Sequence, residues 1–163
     1  MVALLAVSAQ VMMPIGPVPF TLQTMVLAMI PAVLDRGTAV LSVVAYVLLG
    51  AFGLPVFAGF MGGFGSLVGP TGGFLWGFVL GMIAAGAMGR PFATRLSAFP
   101  RALVSSFLLL LVTYACGTVQ LMALMSLDVT GALGIAVMPF VIPDVIKVVV
   151  GARIGVSISK VLS

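Results

Sequence analysis

The run ALVSSFLLLLVTYACGTVQLMALMSL, from Ala102 to Leu127, carries no charged residue. A helix needs about 20 apolar residues to cross the roughly 30 Å hydrocarbon core of a bilayer, so this stretch reads as a membrane span. Working outward, residues 1–34, 37–89 and 129–143 are also free of charge. Of the 163 residues 63% are hydrophobic and only 6% charged, against about 25% charged in soluble domains. The class is therefore an integral membrane protein. No run of ten-residue alternating segments announces a β-barrel. Cys116 is the single cysteine and histidine is absent, so neither a disulfide framework, a zinc site nor a Ser-His-Asp triad can be assembled from this chain.

Gly and Pro punctuation divides the chain into six predicted helices. The first ends near Met13, and the other five cover about Thr21–Leu34, Thr38–Phe52, Phe74–Met88, Ala102–Met125 and Pro143–Val161. The first is short: thirteen residues rise about 20 Å, and residues upstream are expected to complete it. A cytoplasmic N-terminus puts Arg36, then Arg90, Arg95 and Arg101, then Arg153 and Lys160 on the cytoplasmic side. The outer connectors 14–20, 53–73 and 126–142 hold no Lys or Arg, as the positive-inside rule requires. The net charge of +4 is thus explained by topology; the cations are too dispersed for a nucleic-acid footprint.

Lys147 is the exception. It follows Asp144 by three positions in Pro139-Phe-Val-Ile-Pro-Asp-Val-Ile-Lys147, a spacing that places both side chains on one helical face. Ionisable residues within a span are expensive and mark ligand or ion pathways. The alternatives are a capped helix end with Lys147 snorkelling to the outer interface, or an ion pair that holds helices together. Two Gly/Pro-rich connectors accompany the pair, Gly16-Pro-Val-Pro-Phe-Thr-Leu-Gln-Thr24 and Gly53–Gly73. Irregular backbone at membrane depth must be buried or line a cavity. The connectors offer aromatic rings, including Phe57 and Phe74, beside neutral hydrogen-bonding groups, including Thr21, Gln23 and Thr71. That mixture suits a small-ligand pocket. Gly73, Gly77 and Gly81 form Gly-x-x-x-Gly steps, which point to close helix packing. No Walker A sequence is present, so the chain cannot by itself draw on ATP.

Three segments taken in order, Gly16–Thr24, Gly53-Leu-Pro-Val-Phe-Ala-Gly59 with Gly69-Pro-Thr-Gly-Gly73, and Pro139-Phe140 with Asp144-x-x-Lys147, resemble the BioY family. These are the biotin-binding membrane subunits, or S components, of energy-coupling factor (ECF) transporters. The resemblance implies one all-α domain over residues 1–163 with six transmembrane helices, both termini cytoplasmic, in a prokaryotic plasma membrane. It implies a biotin pocket at the outer face, with biotin as transported ligand and no cofactor. It further implies a membrane coupling protein and ABC-type ATPases as partners, and no enzymatic activity, although some members work without those partners. Its polar contacts map onto Asp144 and Lys147, and its Thr-Leu-Gln segment onto Thr21, Leu22 and Gln23. Pro143 stands where the family has Gly, and Phe74 where Tyr is common; Met1–Met13 lacks the Ala-x-x-x-Ala pair used for docking to the coupling protein. The rival readings are an S component for another small vitamin and a membrane-embedded lipid-modifying enzyme built on Asp144–Lys147.

Overall fold

The computed structural model describes residues 1–92 and 96–162. Helix α1 (Val2–Gln10) leads into a two-stranded antiparallel hairpin, β1 (Met12–Ile15) and β2 (Val18–Thr21). Helices α2 (Gln23–Val33) and α3 (Arg36–Ala51) follow; then come a 3₁₀ turn at Ala58–Phe60 and the short α4 (Phe64–Val68). The remaining helices are α5 (Gly72–Phe92), α6 (Ala98–Met125), α7 (Val129–Ala136) and α8 (Val141–Leu162).

The chain is largely helical, as expected, and the short hairpin is a local addition to the bundle. Met12 pairs with Thr21, Met13 with Phe20, Pro14 with Pro19 and Ile15 with Val18. Gly16 adopts φ +65°, and Pro17, whose ring holds φ near −65°, completes a two-residue turn with a positive first φ. Opposed residues in an antiparallel ladder alternate between bonded and non-bonded pairs. Pro14 and Pro19 therefore face each other where no donor is needed. Helix α1 accordingly stops at Gln10, short of the expected Met13.

Two further differences lie in the connectors 53–73 and 126–142, where α4 and α7 occupy stretches expected to be loops. Asp128 starts α7 by accepting from the Gly131 N–H at 3.0 Å and from the Thr130 hydroxyl. These bonds hold its carboxyl below the usual carboxylate range, that from Thr130 contributing most. At the other end, α5 runs on through Arg90, and α6 begins early enough to take in Arg101, so neither lies in a loop. Arg95 falls outside the described residues.

Among the described residues, α6 alone is long and apolar enough to cross a bilayer unaided. Helices α7 and α8, bent by 51° at their junction, meet that criterion together. Helices α2 and α3, and the stretch Gly72–Ala87 of α5, are apolar but shorter. The bundle is built around α2, which packs on α1, α6 and α8, while α5 lies against α6 and α3. The glycine stripe explains the α5–α6 contact: a Cβ on Gly73, Gly77 or Gly81 would sit 2.4 Å from Cys116 O, 2.7 Å from Thr113 Cα or 2.8 Å from Leu109 O. Leu5, Leu27, Ile30, Val43, Tyr46 and Met82 form the main buried cluster. Outward faces expose Leu41, Leu111 and Val119, a surface that lipid, not water, solvates.

Where no Cβ contact exists, the sign reverses. Gly134 in α7 has nothing within 4 Å of an added Cβ. Gly134→Ala is expected to stabilise the protein by about 0.4–1 kcal/mol through lower unfolded-state entropy, seen as a raised thermal midpoint in detergent.

Candidate ligand site

A cavity of about 430 Å³ lies between the hairpin, the 57–71 connector, the first turns of α2, α5 and α8, and the middle of α6. Its volume falls within the roughly 300–1,000 Å³ usual for small-molecule sites. Apolar rings make most of the wall. Phe20 of β2 stacks on Phe140 in the α7–α8 bend, centroids 6.5 Å apart and planes 12° from parallel. Phe57 is buried edge-on against Tyr46, and Phe74 presses on Gly117.

The connector is fixed by side chains reaching up from the bundle. Gln10, at the end of α1, donates to Val56 O and Phe57 O and accepts from the Phe60 N–H at 2.8 Å. Tyr46 donates to Val56 O at 3.0 Å and accepts from Gln23 Nε2 at 2.8 Å. Two uncharged amides and one phenol thus hold irregular backbone whose own groups cannot all pair.

Asp144 and Lys147 stand on one face of α8, 5% and 7% exposed, with Lys147 Nζ 2.7 Å from Asp144 Oδ1. The first four N–H groups of a helix lack intrahelical acceptors, so Pro143 fits one residue before the acid. Lys147 also donates to Thr21 O at 2.6 Å and Thr24 Oγ1 at 3.2 Å. Its three N–H bonds are then all used, and the Phe20 ring covers the ammonium, 3.5 Å from the centroid. Asp144 Oδ1 further accepts from Thr24 at 2.9 Å, and Oδ2 accepts from the Tyr114 hydroxyl at 2.7 Å. With two acceptor sites on each carboxylate oxygen, Oδ2 is the atom with capacity to spare.

All seven residues singled out from the sequence, Thr21, Gln23, Phe57, Thr71, Phe74, Asp144 and Lys147, line this one cavity. Gln23 directs its amide donor at Tyr46, so its part in the wall is to hold Tyr46 and the connector. Lys147 does not snorkel outward, because Thr21 O and Asp144 capture it. Sequence reasoning missed Tyr114 and gave Thr24 no special place. A lone phenol in the middle of the α6 run was the available signal, since a buried Tyr hydroxyl needs a partner. Tyr114→Phe leaves Asp144 Oδ2 without its donor. A hydrogen bond to a charged group contributes about 1.5–3 kcal/mol, and the variant should lose stability by that amount in denaturant titration of the detergent-solubilised protein.

A helical membrane bundle whose apolar cavity is floored by one buried ion pair defines a membrane-embedded binder of small molecules. The chain belongs to the BioY family, whose model matches residues 1–163. It is 42% identical over 158 residues to the biotin transporter BioY of Thermotoga maritima, covering 97% of this chain and 90% of that one. It is 39% identical over 146 residues to a probable biotin transporter BioY of Pyrococcus horikoshii, covering 90% and 83%. The crystal structure of the S component for biotin from an ECF-type ABC transporter shares its fold, with a TM-score of 0.88 at 24% identity over 98% of this chain and 86% of that one.

Proposed function

We propose that this chain captures biotin from outside the cell and serves as the substrate-binding subunit of an ECF-type uptake transporter. The observation that carries the reading is the Asp144–Lys147 pair at the floor of an aromatic cavity, in a chain whose relatives are named biotin transporters. Biotin presents a ureido ring with two N–H donors, an apolar thiolane and chain, and a carboxylate. The spare acceptor capacity of Asp144 Oδ2 suits a ureido N–H. Lys147, saturated by protein oxygens, orients and neutralises that carboxylate more than it grips the ligand. Phe20, Phe57, Phe74 and Phe140 supply apolar surface for the thiolane, and Thr71 a hydroxyl near the rim. The relatives it matches are named as transporters, which favours binding and transport over an enzymatic role.

In this reading the chain crosses the membrane six times with both termini cytoplasmic, and Arg36, Arg101, Arg153 and Lys160 mark the inner side. Tight capture works against release, so inward release needs an agent with different affinity for two states. A membrane coupling protein and ABC-type ATPases would supply it. Thermal-shift titration of the purified protein with biotin, thiamin and riboflavin tests the ligand: biotin at 100 times its Kd should add about 2.7 kcal/mol of apparent stability, and the others nothing. A shift with thiamin or riboflavin but not biotin would reassign the vitamin. For topology, a Ser97→Cys variant in a Cys116→Ser background should resist an impermeant thiol reagent in intact cells, and labelling would reverse the orientation.

A further inference from the structure

A second cavity, of about 400 Å³, opens at the opposite end of the bundle, among the last turns of α2 and α8, the start of α3 and α6, and α5. Its walls are apolar, with Pro31, Leu34, Met82, Ala85 and Val156. Three cations from three different helices converge on it, Arg36 of α3, Arg101 of α6 and Lys160 of α8, with Ser159 beside them. The Arg36 stem is laid across Gly86: a Cβ there would lie 2.7 Å from Arg36 Cγ and 3.2 Å from Nε. The absence of a side chain at Gly86 is what lets the stem of Arg36 lie against α5 at the cavity. Asp35, next to Arg36, is engaged elsewhere, accepting from the Thr38 N–H at 3.0 Å and the Thr38 hydroxyl at 2.6 Å. Arg153 of α8 belongs to a different face, where its guanidinium lies 5.4 Å from the Phe99 ring centroid.

We propose that this cavity is a binding site for an anionic phospholipid headgroup. Guanidinium groups form paired, charge-assisted bonds to phosphate oxygens, and basic pockets between membrane helices take up lipid headgroups. Free phosphate offers the same anion but would leave the apolar walls wet; a glycerophospholipid covers them with its glycerol and first methylenes. The site is independent of biotin capture and, on the orientation proposed above, faces the inner leaflet.

The test uses the delipidated full chain in neutral detergent, titrated separately with dioleoylphosphatidylglycerol, dioleoylphosphatidylcholine and inorganic phosphate. Thermal midpoints and native mass spectra are read together. Phosphatidylglycerol should raise the midpoint and remain bound in the spectrum, whereas phosphatidylcholine, whose choline offsets the phosphate charge, should do neither. Arg36→Gln should weaken phosphatidylglycerol binding about tenfold or more, the loss expected of one charged hydrogen bond. Arg153→Gln, at the same end but outside the cavity, should leave it unchanged. Lys160→Gln gives the same reading if Arg36→Gln does not fold. Equal responses to the two lipids, an equal loss in Arg153→Gln, or a midpoint shift with inorganic phosphate alone would each overturn the assignment.

Discussion

Lys147→Ala is expected to abolish measurable biotin binding. The substitution leaves the Asp144 carboxylate buried beside Thr24 and Tyr114 with no counter-charge. Removing one partner of a buried ion pair costs about 3–5 kcal/mol of folding stability, and the carboxylate that should receive the ligand is no longer held in place by Lys147. Asp144→Asn should fail as badly, because it strands the ammonium and removes the acceptor left for a ureido N–H. A merely structural pair behaves differently. Replacing both charges with apolar groups of similar size is often neutral or stabilising, so the Asp144→Leu/Lys147→Met double variant should recover thermal stability without recovering biotin binding. Isothermal titration of the three variants, with unfolding midpoints measured alongside, checks both halves. Biotin affinity retained in the double variant would reduce the pair to a helix clamp.

Gly77→Leu should be the most damaging substitution away from the site. Its Cβ would stand 2.7 Å from Thr113 Cα and 3.1 Å from Thr113 O, and backbone cannot move aside as a flexible side chain can. Overpacking usually costs about 1–3 kcal/mol and sometimes more; here a whole helix pair must part, so the upper end is expected. Because Thr113 and Tyr114 of α6 line the cavity, the displacement also moves the phenol that holds Asp144. Chemical unfolding in detergent should show the loss of stability, and biotin binding should weaken with it.

The glycine stripe and the charged pair were both legible because each is a fixed spacing on one helix. Gly73, Gly77 and Gly81 announce close approach at every fourth residue, and Asp144 and Lys147 share a face three residues apart. The hairpin was not legible. Pro14, Pro17 and Pro19 argue against a strand in most contexts, and only the pairing register shows that two of them fall opposite each other where no donor is required. The short apolar run Met12–Ile15 reads equally as the end of a helix. Helices α4 and α7 hid for another reason: at 5 and 8 residues they are too short for periodicity to speak. Tyr114 was missed because its partner lies thirty positions away, on a helix that only the fold brings beside it.

The residues expected at the site come together in one cavity where chemistry and irregular backbone coincide. Thr21, Phe57 and Thr71 come from connectors rich in Gly and Pro, and membrane depth forces such backbone to line a cavity. The roles within the cavity needed coordinates. Gln23 looks like a ligand contact in sequence, yet its donor is committed to Tyr46. Lys147 looks like the cation that receives an anion, yet Thr21, Thr24 and Asp144 take its three N–H groups.

A crystal or cryo-electron-microscopy structure of the purified chain soaked with biotin is the most direct measurement of the site. Biotin should lie in the cavity floored by Asp144 and Lys147, a ureido nitrogen within hydrogen-bonding distance of Asp144 Oδ2 and the thiolane against the Phe20–Phe140 stack. Biotin density anywhere else, or an unoccupied cavity under saturating biotin, would contradict it.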